Sequence, residues 1–101
     1  MGDRFQAELW EWEAKGGWFF VTLPDELADD IRARTDDGLR RGFGSVRVEA
    51  TIGGSTWRTS IFPESGGDSF VLPVKKPVRT AEGIGPGDTV AVSLLVEPGG
   101  S

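Results

Sequence analysis

Side chains over residues 4–13 sort by a two-residue period, with Phe5, Ala7 and Leu9 on one face and Gln6, Glu8, Trp10 and Trp12 on the other. That period predicts a β-strand, because successive side chains of a strand leave opposite faces. Residues 13–17 hold Gly16 and Gly17 and read as a turn, and residues 18–23 (WFFVTL) follow as a second strand that is apolar on both faces. A strand of that kind is either buried on both sides or gives one face to a ligand or partner. Pro24, with Asp25 and Glu26 behind it and Leu27, Ala28 and Ile31 at helical spacing, predicts a helix over 24–35. Asp36, Asp37 and Gly38 end it.

Residues 45–52 and 55–62 flank Gly53 and Gly54, a two-residue connection suited to a primed hairpin turn. The turn sets the register: Val46 faces Ile61, Val48 faces Thr59 and Ala50 faces Trp57 on the buried side, with Glu49 opposite Arg58 and Thr51 opposite Thr56 on the other. Residues 69–74 form a further strand, which Pro73 assigns to a sheet edge or to a corner where the chain leaves the sheet. Residues 75–82 read as a short helical turn, 85–88 as a tight turn, 89–97 as a core strand with Val90, Val92, Leu94 and Val96 alternating, and 98–101 as a frayed tail. About six short strands and one or two short helices in a single domain over 1–101 favour a small closed or half-closed β-barrel.

Composition removes several chemistries. The 101 residues include no Cys and no His, so disulfides, thiol nucleophiles and the commonest zinc ligands are absent; no cofactor or metal is expected. Without Tyr as well, catalysis would fall to carboxylates, Lys, Arg, Ser or Thr. No apolar run approaches a membrane span and residues 1–4 lack the features of a signal peptide, so a cytoplasmic protein is expected. The net charge of -5 is uneven: residues 1–37 carry ten acids against four bases, residues 38–101 six against seven. Such a balance disfavours nucleic acid as a partner.

Gly16-Gly17-Trp18 through Leu23-Pro24, the Gly53-Gly54 hairpin, the run Leu72-Pro73-Val74-Lys75-Lys76-Pro77-Val78-Arg79, and Gly85-Pro86-Gly87-Asp88-Thr89-Val90 occur in this order. Together they resemble the domain of unknown function 1905 family over nearly the whole chain. The resemblance implies a double-split β-barrel, related in fold to swapped-hairpin transcription factors of the AbrB and MazE type but completed within one chain. It implies no established activity, and kinship of fold with DNA binders does not carry function.

Candidate sites follow from what the barrel does not need. Strand 4–13 gives one face to Phe5, Ala7 and Leu9, so Trp10 and Trp12 cannot share that core. With Trp18, Phe20, Trp57 and Phe62 they form an aromatic set that could bind a small apolar ligand or a protein partner. The commoner arrangement in small domains is that a helix, here 24–35, covers such a face as a second core; even so, at least one indole is expected to stay reachable. Lys75, Lys76 and Arg79 form the one dense basic cluster, either an anion site or a solvated face. Asp25, Glu26, Asp29, Asp30, Asp36 and Asp37 read as a solubilising acidic face, because they lack the spacing of a calcium loop.

The reading that results is a non-enzymatic binding module of undetermined oligomeric state, with no catalytic residue assigned. Two rivals accompany it. One is a barrel enzyme in which a buried carboxylate acts as acid or base, with Glu11 and Glu13 nearest the indoles; the other is a DNA-binding module by fold kinship, which a basic cluster of three residues supports weakly.

Overall fold

A computed structural model of the chain describes residues 3–12, 17–34, 45–63 and 69–97. Over these the elements run β1 (Asp3–Glu11), β2 (Phe19–Thr22), α1 (Asp25–Arg34), β3 (Val46–Ile52), β4 (Ser55–Pro63), β5 (Phe70–Pro73), α2 (Lys76–Glu82) and β6 (Thr89–Val96). The six strands close into an antiparallel barrel in the order β1-β2-β5-β4-β3-β6, so the mainly β, closed-barrel expectation holds. Glu13, Gly16, Asp36, Asp37 and the 98–101 tail, each assigned a role above, lie outside the described residues.

Two strands serve both halves of the barrel. β1 pairs with β6 from Asp3 to Glu8 and with β2 from Leu9 to Glu11. β4 pairs with β3 up to Ile61 and with β5 through Phe62 and Pro63. The hairpin register is the one the turn dictates, Val46 to Ile61 through Ile52 to Ser55. Only Gly53 of the glycine pair has positive φ, at 59°, which is the sign pattern of a type II′ turn. The Thr51 and Thr56 hydroxyls meet at 3.0 Å across the strands. Arg58, however, sets its Nε 3.7 Å from Glu97 Oε2: a strand register fixes the Cβ positions, while a long side chain chooses among all the acids within its reach.

Of the two readings of Pro73, β5 overturns the sheet edge and bears out the corner where the chain leaves the sheet. The strand is flanked on both sides, by β2 and by β4, and Pro73 is its last residue, where the chain turns out toward α2. The missing N–H therefore costs no ladder bond inside the sheet. Pro24 likewise stands just before α1 and not in it: its carbonyl accepts the Ala28 N–H at 2.9 Å, the first bond of the helix.

The barrel interior is filled by side chains. Leu9, Val21, Val48, Ala50, Ile61, Leu72 and Leu94 are fully buried in one contiguous core, and Ala28 and Ile31 of α1 and Val78 of α2 join it. α1 therefore spends its apolar stripe on the main core. It was expected to lie over Trp10 and Trp12 as a second core; the reason it does not is that Leu23, at the exit of β2, is itself a buried core residue and carries the helix with it. The Leu23 amide and carbonyl are held by Phe70 O (2.9 Å) and by the buried Ser69 hydroxyl (2.8 Å).

α2 is seven residues long and stops on Gly83 at φ 65°, with the Gly83 and Ile84 amides returning to Thr80 O and Arg79 O. Its last residue, Glu82, reaches the hairpin turn. One carboxylate oxygen accepts from the Ser55 hydroxyl at 2.7 Å and the other from the Gly54 amide at 3.4 Å.

Candidate functional site: an aromatic wall outside the barrel

The pleat sends Leu9 and Val21 inward, so Trp10 and Phe20, their neighbours in the same strands, go outward. Cross-strand pairing then assembles the outer residues into rows. Trp10 faces Phe20, and Phe20 faces Pro73. On one side of that row the Trp12 amide donates to Trp18 O at 2.9 Å. On the other side Thr22 faces Val71, and Val71 faces Phe62. The result is an apolar wall crossing four strands.

Three indoles surround the Phe20 ring, with centroids at 5.2 Å (Trp10), 6.3 Å (Trp12) and 6.1 Å (Trp18, stacked at 14°). They leave Phe20 only 8% exposed although it lies outside the main core. Trp10 is fixed by its indole N–H, which donates to Thr22 Oγ1 at 3.0 Å. Trp12 and Trp18 differ: they are 44% and 51% exposed, and no hydrogen bond engages either indole N–H among the described residues. Phe62, across the wall, is 40% exposed.

Five of the six aromatic residues singled out from the sequence are therefore brought together. Trp57 is not: the hairpin register turns it inward beside Ala50, where it is part of the barrel core. Val71, Pro73 and Thr22 complete the wall and were not singled out, because the pairing of β2 with β5 joins distant segments that no short turn announces. The rest of the outer surface has another character. Arg4, Gln6 and Glu8 of β1, Thr89, Ala91 and Ser93 of β6, Arg47, Glu49 and Thr51 of β3, and Thr56, Arg58 and Ser60 of β4 share it, with Leu95 the one large exposed apolar side chain there among the described residues.

The basic cluster divides. Arg79 lays its guanidinium over the Phe19 ring, 3.7 Å from the centroid, and its Nε–H donates to Val74 O at 3.3 Å, while Lys75 and Lys76 are exposed. Arg79 thus acts as a strut between α2 and β2. Glu11, the described member of the candidate acid/base pair, is exposed and lacks the burial that the reading required of it. Among the described residues no three acids group to hold a metal ion, and no helix is long and apolar enough to cross a membrane.

A filled six-stranded barrel with two short helices and one aromatic outer wall defines a small, mainly β domain whose distinctive chemistry lies on its surface. The chain belongs to the family described as domain of unknown function DUF1905, whose sequence pattern matches residues 5–94. No curated protein matches it.

Proposed function

We propose that the domain is a non-enzymatic docking module whose aromatic wall engages a partner protein. The observation that carries this reading is the pair Trp12 and Trp18, about half exposed and each packed against the ring of a buried Phe20. Leaving a large aromatic face wet forgoes roughly 1.5–3 kcal/mol of burial, a loss that clustered surface aromatics recover on binding. Trp is also the side chain most often found to dominate protein interfaces. A small apolar ligand fits less well, since such ligands are held in concave pockets that enclose most of their surface, and this wall is the outside of a barrel whose inside is full.

The test places photo-reactive benzoylphenylalanine at position 62, in the wall, or at position 93, on the polar side. Irradiation in the cells of origin is expected to give a discrete protein adduct from position 62 that disappears when Trp12→Ser and Trp18→Ser are combined. Equal yields from the two positions, or an adduct indifferent to the indoles, would remove the wall from consideration.

A further inference from the structure

We infer that the occupant of the aromatic wall is a short, uncharged, proline-rich segment in the polyproline II conformation. This rests on the docking reading above and narrows its partner.

Area limits the occupant first. At 44%, 51% and 40% exposure, Trp12, Trp18 and Phe62 together offer roughly 300 Å² of aromatic surface, taking about 200–250 Å² for each whole side chain. A standard interface needs about 800 Å² from each partner, and obligate homodimers need more. The aromatic surface by itself is well short of a standard interface and matches what a short peptide covers. Its span agrees: from Trp12, just past the end of β1, to Phe62 on β4 the wall runs three strand spacings across, roughly 14 Å, and four residues along, roughly 13 Å, which is about 19 Å on the diagonal. About six residues of polyproline II cover that distance at about 3.1 Å each.

Hydrogen bonding then selects the conformation. The wall's free polar groups are the indole N–H groups of Trp12 and Trp18, and an indole is a donor only. The hydroxyl of Thr22 accepts from Trp10 and keeps its O–H as a further donor. The matching ligand offers carbonyl oxygens and asks for no acceptor. A polyproline II segment does so, because its carbonyls make no internal bonds and proline has no N–H. A helix has its carbonyls occupied, and an added β-strand finds no edge within the wall, since β2 lies between β1 and β5, and β5 between β2 and β4.

Charge completes the argument. The wall itself carries no ionisable side chain. Among the described residues it is bordered by exposed Glu8 on the β1 side and by exposed Lys75 beyond β5, one charge of each sign, which matches a ligand that is neutral where it makes contact.

The experiment titrates octaproline into the whole ¹⁵N-labelled chain and follows the four indole N–H resonances. The expected result is saturable movement of the Trp12 and Trp18 signals, little changed by salt, with Trp57 and the Thr22-bonded Trp10 nearly still. Trp12→Phe and Trp18→Phe keep an aromatic ring and remove the donor, and each should weaken binding about fivefold. No response at millimolar octaproline, the same response to an alanine-rich helical peptide, or full affinity in both Phe variants would overturn the assignment. Concentration-dependent broadening of the same signals without peptide would overturn it too, in favour of a second copy. If octaproline fails while the adduct at position 62 still depends on the indoles, docking stands and the proline-rich occupant falls. If both fail, the docking reading falls with it.

Discussion

At the scale of single residues, the four tryptophans separate into distinct environments, and their substitution should separate with them. Trp57 is in the barrel core at 8% exposure while Trp18 is half in water, so Trp57→Ala should cost roughly 3–5 kcal/mol and Trp18→Ala less than about 1.5 kcal/mol. Urea denaturation of the two variants checks this, and equal losses would contradict the assigned faces. Gly53 offers a second comparison. It and Gly83 have nearly the same φ, 59° and 65°, but a Cβ on Gly83 meets open space whereas one on Gly53 collides with Glu82 Oε1. Gly83→Ala carries the left-handed penalty of roughly 1–2 kcal/mol, and Gly53→Ala, at the first central position of a type II′ turn, carries at least as much. Gly53→Ala should add to it the bonds that Glu82 makes to Ser55 and Gly54, about 1 kcal/mol more. A double-mutant cycle with Glu82→Ala isolates that increment; it should vanish in the Glu82→Ala background.

At the scale of elements, what could be read in the sequence was whatever local chemistry determines. The β3–β4 hairpin came out pair for pair because Gly53 and Gly54 fix the turn and because Val46, Val48 and Ala50 alternate with Arg47, Glu49 and Thr51. The outward course of Trp10 and Trp12 was legible for the same reason, since period 2 leaves no choice of face once Leu9 is inside, whereas strand 18–23, apolar on both faces, left the face of Phe20 open. Partnerships between segments far apart were not legible. Nothing local says that β2 lies beside β5, so Val71 and Pro73 could not be placed next to Phe20. Nor does an amphipathic helix announce which surface it will cover, and α1 joined the barrel core and not the indoles because the buried Leu23 leads into it. Arg79 shows the same limit: a basic cluster on paper becomes a brace once Phe19 is beneath it.

At the scale of the whole molecule, the described outer surface is divided between an aromatic wall and a polar remainder, while the inside is apolar but for Thr59 on the inward face of β4 and the buried Ser69. One seam makes that arrangement possible. β1 and β6 pair along six positions, from Asp3 with Leu94 to Glu8 with Thr89, so the first and last strands are neighbours in space. Time is where this seam has its effect. The ring cannot shut until β6 has been made, and Phe5 and Ala7, which pack against Val92 and Val90 across the seam, have no cross-strand partner on that side before then. Closing so long a loop is entropically costly before it is rewarded by contacts, which places such topologies among the slower folders, in the range of milliseconds to seconds. Stopped-flow refolding should therefore show a relaxation in that range, and microsecond folding would contradict it. The rows that carry the indoles are built by β1 and β2 and not by this seam, so the surface a partner would read is assembled from the first strands of the chain while its closure waits on the last.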